Sequence, residues 1–263
     1  MTRRLLAVAA ALAAVLAGAG PAAAQPPLVR PESEAGMSLL ELGGALFAGN
    51  CALCHGSRGE GVAPGAQRGG TARTGAGPSL AGAGRQAADF YLRTGAMPLE
   101  DPGEQPERHP VLLRDREIRA LEAYVDSLGA GPAVPTPHPE RGNVATGLTL
   151  FSEHCAGCHQ IVGEGGIVTG ARVPPLARAT PTQIAEAVRI GPYVMPRFSA
   201  RDISDAELDS LIAYVDYAKR PDDAGGWAIN HLGPFPEGMV TWGIAGVVLV
   251  ATCMLLGERL KRP

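Results

Sequence analysis

The sequence predicts an all-α protein built as two tandem helical lobes of one fold, followed by one C-terminal transmembrane helix. Three observations carry that expectation. First, a three-part block occurs twice in the same order: "GGALFAGNCALCHG" pairs with "GLTLFSEHCAGCHQ", "GPSLAGAGRQAADFYLRTGAMP" with "VPPLARATPTQIAEAVRIGPYVMP", and "DREIRALEAYVDSL" with "DAELDSLIAYVDYA". Second, apolar residues in both copies recur every third or fourth position, with no alternating strand pattern. Third, Met239 to Leu256 is an uncharged run of 18 residues, near the minimum for crossing a bilayer as a helix.

The elements follow in chain order. "MTRRLLAVAAALAAVLAGAGPAAAQ" has a charged start, an apolar stretch from Leu5 to Ala19 and small residues before Gln25. Residues 1–24 therefore read as a secretory signal peptide, with a retained N-terminal anchor as the alternative. Residues 25–36, "QPPLVRPESEAG", read as a disordered lead. The first lobe covers 37–130. Leu39, Leu42, Leu46 and Phe47 lie at helical spacing, a middle helix runs over Ala87 to Arg93, and a last helix over Arg114 to Leu128 carries Ile118, Leu121, Tyr124 and Val125 on one face. A proline-rich linker, 131–140, favours an extended spacer. The second lobe, 141–220, repeats the plan with Leu148, Phe151 and Cys155, then Thr182 to Ile190 after Pro181, then Ser204 to Ala218 with Glu207 placed for a capping box. Cys51 and Cys155 are 104 positions apart, Met97 and Met195 98, and Tyr124 and Tyr214 90, so the second copy has shorter loops. A connector over 221–238 leads to the membrane helix, 239–256. Trp242 suits one interface, and Arg259, Lys261 and Arg262 in the tail 257–263 place that end in the cytoplasm. The lobes then lie on the extracytoplasmic side of the cell membrane.

Composition narrows the function classes. Net charge is −3, without the basic surplus that nucleic-acid binding needs. Glycine (35) and proline (23) are abundant, which favours short helices joined by long loops. Aromatic residues make up only 5%, so a side-chain core alone is thin and a large buried cofactor could supply apolar bulk. Charge is near balance in each lobe: nine arginines against eleven acids over 37–130, and eight basic against eight acidic residues over 141–220. Neither lobe offers a strongly charged docking face, which favours fixed partners over a mobile carrier.

The chemistry lies in "CALCH" and "CAGCH". Two cysteines three apart at a helix start face one side of a turn, where their sulfurs can form thioethers with the two vinyl groups of a haem. Cys51 and Cys54, and Cys155 and Cys158, are the candidate attachment points. The adjacent His55 and His159 then reach the iron. A zinc ribbon sets its cysteine pairs about 15–20 residues apart, against 104 here. A redox dithiol needs no histidine after it, twice. Each copy also has a methionine between the middle and last helices, Met97 in "TGAMPLE" and Met195 in "PYVMPRF", each followed by proline. Methionine sulfur opposite histidine completes a six-coordinate iron and raises its potential. His109 is the runner-up ligand in the first lobe, while His138 and His231 read as surface residues. Pro78 and Pro174 occupy the intervening loops, where a backbone carbonyl could orient the histidine, with Leu80 and Leu176 against the ring. Tyr124 and Tyr214 face either a propionate or the core. Cys253 reads as a small apolar filler.

With both irons filled and no triad, phosphate loop or paired-carboxylate site, the expected action is one-electron transfer between two covalently bound haem c groups, with no substrate-converting site. The tandem "CALCH" and "CAGCH", the paired "GAMP" and "YVMP", and "GPFPEGMVTW" leading into one terminal helix resemble the dihaem cytochrome c subunit of the actinobacterial-type cytochrome bc complex, a quinol–cytochrome c reductase. The resemblance implies tandem class I cytochrome c domains and three partners: a cytochrome b subunit that oxidises quinol, a Rieske iron–sulfur subunit that donates the electron, and a terminal oxidase that receives it. Many members keep an N-terminal helix where "AAAQ" here suggests cleavage, so one span or two remain open. The alternatives are the cytochrome subunit of a periplasmic dehydrogenase, the dihaem subunit of a cbb-type oxidase, and a free-standing membrane-tethered shuttle.

Overall fold

The computed structural model describes residues 28–63, 76–99, 101, 103–168, 170–220 and 234–260. Helix α1 (Leu39–Asn50) starts at a reciprocal cap: the Ser38 hydroxyl accepts from the Glu41 N–H, and the Glu41 carboxylate accepts from the Ser38 N–H. The single turn α2 (Ala52–His55) follows, then α3 (Gly84–Arg93) and α4 (Asp115–Ser127). The second copy opens with a 3-10 turn, Pro139–Arg141, and continues through α5 (Val144–His154), α6 (Ala156–His159), strands β1 (Gly166–Val168) and β2 (Ala171–Val173), α7 (Pro181–Ile190) and α8 (Asp205–Ala218). Ser204 and Glu207 cap α8 as Ser38 and Glu41 cap α1.

Two compact units emerge from the contacts. The first takes the described residues up to Thr136 together with Glu186–Arg197, and the second takes Pro137–Ala185 with the described residues from Phe198 onward. In the first unit α1 packs on α4, which also packs on α3. Leu42, Leu46, Phe47, Leu113, Ile118 and Leu121 form the core, and the Tyr124 ring stands 4.9 Å from Phe47. In the second unit α5 packs on α8 around Phe151, Leu208, Leu211, Ile212 and Val215, with Tyr214 5.3 Å from Phe151. Both tyrosines are thus core rings, and the Tyr214 hydroxyl donates to the Ile161 carbonyl at 2.5 Å.

Each helix pair crosses at a glycine. A Cβ on Gly43 would overlap the Ala120 carbonyl oxygen, and one on Gly147 would overlap the Ser210 carbonyl oxygen. The helices approach backbone to backbone at these points, so the side chains on either side interlock.

Two expectations need correction. The lead over 25–36 is held along its described part, not loose. Val29 and Asn50 exchange two hydrogen bonds of 2.8 Å. Arg30 donates to Glu117 at 2.6 Å and to the Leu112 carbonyl at 3.1 Å, and Glu34 pairs with Arg114 and Arg116. Burial alone would keep the enclosed Glu117 carboxyl un-ionised, but hydrogen bonds from Arg30 and Arg114 prevail and hold it down to about 2. The charged, proline-bearing lead looked too polar to order; its charges are the fastening. The second lobe also contains the β1–β2 hairpin, paired Gly166↔Val173, Ile167↔Arg172 and Val168↔Ala171, with Gly170 at φ 78° in the turn. Three-residue strands are too short for an alternating pattern to show.

Helix α9 (Pro234–Leu260) is long and apolar enough to cross a membrane over the 25 residues Phe235–Arg259, within which an 18-residue window has mean hydropathy 2.2. Its apolar side chains are exposed. Thr241 and Thr252 return their hydroxyls to the Glu237 and Val248 carbonyls, as a polar side chain in lipid must. The expected signal peptide, most of the connector and the last three tail residues lie outside the described residues.

Candidate cofactor-attachment sites

Each Cys-x-x-Cys-His motif sits where one helix ends and another turn begins. The Cys51 N–H donates to the Phe47 carbonyl at 2.8 Å, closing α1, and the His55 N–H returns to the Cys51 carbonyl at 2.9 Å. Cys155 repeats this with Phe151 and His159, both bonds at 2.9 Å. The paired cysteines therefore stand one turn apart, and both pairs are free thiols. Burial, aided by the neighbouring thiol, pushes Cys51 up to about 12 and Cys155 up to about 11. Reactive dithiols have lowered values, so these pairs do not fit a redox-active role. Among the described residues, no group of three or more His, Cys, Asp or Glu side chains converges as a metal site would require.

The loop after each histidine is "GEG" in both copies, a repetition that could have been read from sequence. The Gly61 N–H donates to the His55 carbonyl at 2.7 Å, and the Gly165 N–H to that of His159 at 3.0 Å. Leu80 and Leu176 donate their N–H groups to the Gly59 and Gly163 carbonyls, both at 2.8 Å. Gly61 and Gly165 have φ of 86° and 73°, and a Cβ on them would stand 3.0 Å from the Pro78 carbonyl carbon and 2.8 Å from that of Pro174. The glycines let each proline segment lie against the loop. Its carbonyl is then delivered to the histidine: His55 Nδ1 is 2.8 Å from the Pro78 oxygen, and His159 Nδ1 3.3 Å from the Pro174 oxygen. A carbonyl only accepts, so Nδ1 carries the hydrogen and Nε2 keeps its lone pair. Burial lowers the His159 pKa and favours that neutral, ligating form. Free thiols one turn apart beside an oriented imidazole fit covalently attached haem.

Met97 follows α3 and is half-buried, its N–H donating to the Tyr91 carbonyl at 3.1 Å. It belongs to the first unit with Cys51, Cys54, His55, Pro78 and Leu80. Met195, also half-buried, donates its N–H to the Pro192 carbonyl at 3.0 Å. Met195 lies in the Glu186–Arg197 segment of the first unit, while Cys155, Cys158, His159, Pro174 and Leu176 belong to the second. His109 is exposed, and its backbone N–H donates to the Thr94 carbonyl at 3.2 Å. His138 pairs with Glu140 at 3.0 Å, and His231 lies outside the described residues. Cys253 is exposed on α9.

Comparison with known proteins bears on both lobes. Residues 40–129 match the family described as cytochrome c, and residues 142–215 the family described as cytochrome C oxidase, cbb3-type, subunit III. The cytochrome bc1 complex cytochrome c subunit of Mycobacterium tuberculosis (strain ATCC 25618 / H37Rv) is 35% identical over 265 residues, covering 97% of this chain and 88% of that protein. That of Corynebacterium diphtheriae is 34% identical over 278 residues, covering 98% and 95%. The chain belongs to the cytochrome bc1 complex cytochrome c subunit family. A shorter likeness, 31% over 197 residues, covers 66% of the chain and 60% of the cbb3-type cytochrome c oxidase subunit CcoP of Azospirillum sp. (strain B510). Both lobes of this family member are cytochrome c domains, a domain type that binds haem c covalently.

Proposed function

We propose that this subunit is the membrane-anchored, dihaem electron relay of a respiratory quinol–cytochrome c reductase. It takes single electrons from a Rieske iron–sulfur partner, beside a cytochrome b subunit, and passes them to a terminal oxidase. One haem c attaches at Cys51 and Cys54 with His55 and Met97 on its iron. The other attaches at Cys155 and Cys158 with His159 and Met195. The observation that carries the reading is the doubled motif, in which each histidine gives Nδ1–H to a prolyl carbonyl and keeps Nε2 for a metal. The names of the relatives support the assignment to a bc1-type complex.

Haem supplies the one-electron couple when bound; the chain supplies attachment, potential and placement. The Pro78 and Pro174 carbonyls fix the imidazole planes and strengthen them as donors. The Met97 and Met195 sulfurs raise the potential relative to a second histidine. Leu80 and Leu176, held by the "GEG" loops, shield the rings from water. Helix α9 tethers the relay beside membrane-bound partners, with the lobes extracytoplasmic and the cationic tail in the cytoplasm. Purification in mild detergent tests the proposal. Cytochrome b and a Rieske protein should accompany the chain, whose denatured mass should exceed the polypeptide by two porphyrins. A flavin or quinone-cofactor dehydrogenase in their place, or fewer than two porphyrins, overturns it.

A further inference from the structure

The end of α3 leads directly into the loop that carries Met97. The Thr94 N–H bonds the Phe90 carbonyl at 3.0 Å, and its buried hydroxyl donates to the same oxygen at 2.6 Å and to the Tyr91 carbonyl at 3.3 Å. Gly95 then enters the left-handed region, φ 68°, with its N–H on the Leu92 carbonyl at 3.1 Å. The chain returns to this point at His109, whose N–H donates to the Thr94 carbonyl at 3.2 Å. The His109 carbonyl lies against Gly95. A Cβ on Gly95 would overlap that oxygen, and would stand 2.8 Å from the His109 carbonyl carbon and 3.2 Å from the Pro110 oxygen. Two passes of the chain thus meet backbone to backbone at a seam that closes residues 96–108 into a loop. Met97 is the second residue inside it, and its N–H is tied back to the Tyr91 carbonyl at 3.1 Å. Ala96, between the seam and the methionine, is buried, so this arm of the loop is packed as well as bonded.

The second copy builds a seam of the same kind with a shorter loop. Gly191 follows α7 with φ 66°, and its N–H donates to the Ala187 carbonyl at 2.9 Å. A Cβ there would stand 2.7 Å from the Arg197 backbone nitrogen and 2.9 Å from its Cα and Cβ. This seam closes only residues 192–196, and Met195 is the second residue inside it, counted from the Arg197 side. The two loops differ in length and in sequence. What both keep is a left-handed glycine packed on returning backbone, with the methionine two places from the contact. A free loop gains conformations as it lengthens. A methionine anchored beside the seam keeps its place whatever the length of the rest.

We propose that Gly95 and Gly191 are positioning residues: by admitting the returning backbone at His109 and Arg197 they close the methionine loops and hold Met97 and Met195 in place for the haem irons. The inference rests on the reading of these methionines as iron ligands, and adds what holds them. A side chain at Gly95 parts the seam, because what it meets is backbone, which does not swing aside as the end of a side chain does. Opening the seam frees Met97 without touching Cys51, Cys54 or His55, so the haem stays attached while its iron loses one ligand. The coupling is reciprocal: a methionine released from the iron no longer steadies the loop, and the seam weakens in turn.

The test uses full-length, haem-loaded protein in detergent. Gly95→Ala should keep two covalent porphyrins, lose one of the two methionine–iron contributions to the optical spectrum, lower the potential of that haem and let it bind carbon monoxide when reduced. Gly191→Ala should do the same to the other haem. Gly82→Ala is the control: Gly82 also has a left-handed backbone, φ 79°, but a Cβ there has nothing within 4 Å. It should keep both contributions and both potentials. A merely structural role would lower the melting temperature without moving the band or the potential. Met97→Leu separates the two readings. If it leaves both optical contributions, Met97 is not a ligand and the brace falls with that assignment. If it removes one while a folded Gly95→Ala keeps both, the seam alone is overturned. Hydrogen exchange decides the matter even where Gly95→Ala does not fold: the His109 amide should lose protection in Met97→Leu relative to wild type while α1 keeps its own. Unchanged protection at His109 overturns the coupling.

Discussion

Alanine at Gly147 tests whether backbone contact between α5 and α8 sets the frame that holds the second attachment motif. The new Cβ would overlap the Ser210 carbonyl oxygen and stand 2.7 Å from both the Ser210 carbonyl carbon and the Tyr214 Cβ. Carbon atoms at rest sit about 3.5–4.0 Å apart, so the helix axes must separate by about 1 Å. The obstacle is backbone and a first side-chain carbon, not the flexible end of a long side chain. The cost therefore falls near the upper end of the overpacking range, about 3 kcal/mol. Alanine returns about 1 kcal/mol in helix propensity over glycine, leaving a net loss of about 2 kcal/mol. For a lobe of this size that lowers Tm by about 8–16 °C. Calorimetry of the full-length haem-loaded protein reads it directly, with Gly157→Ala as the control, because a Cβ there has nothing within 4 Å. A Gly147→Ala melting point within about 2 °C of wild type would refute the claim that the helices touch at backbone level. Gly43→Ala, facing the Ala120 carbonyl, should behave alike in the first lobe.

Arg30→Ala leaves the buried Glu117 with Arg114 as its remaining side-chain partner, so the acid-unfolding midpoint should move to higher pH in a circular-dichroism titration. The sign follows from a carboxyl held down to about 2: its stabilisation is present above the ordinary 4.5 and is lost as pH falls toward 2. Replacing both Cys155 and Cys158 with alanine should halve the covalent haem detected by mass and by in-gel staining, with the first lobe still loaded; two retained porphyrins would count against the second site. Met97→Leu should lower the reduction potential of one haem without releasing it, and an unchanged methionine–iron optical band would show that Met97 is not a ligand.

The Cys-x-x-Cys-His motifs and the three helices of each lobe were legible because the chain states them twice. A residue type that returns at one place in two diverged copies is tied to the fold or the cofactor, and Cys51/Cys155, Pro78/Pro174 and Leu80/Leu176 all return. Gly43/Gly147 and the "GEG" loops return as well. They are silent in a hydrophobic-periodicity reading because glycine adds nothing to an apolar face; their role is visible only from the backbone atoms that a Cβ would strike.

What occurs once escaped for the same reason. Arg30, Glu34, Arg114, Arg116 and Glu117 look like ordinary solvated charge in sequence, yet Glu117 is fully enclosed and the lead is pinned to α1 and α4. The lead ends its grip at Asn50, the residue before Cys51, whose side chain accepts from Val29 and donates to the Val29 and Leu46 carbonyls. The second copy has His154 there instead. The two lobes therefore enter their first cysteine from different supports, and the prolyl bond to the histidine is 2.8 Å in one and 3.3 Å in the other. A shorter bond holds an imidazole more firmly and makes it the better donor. The support of the first cysteine is one feature that the two copies do not share, so comparing the copies in sequence shows that Asn50 and His154 differ but not what Asn50 fastens.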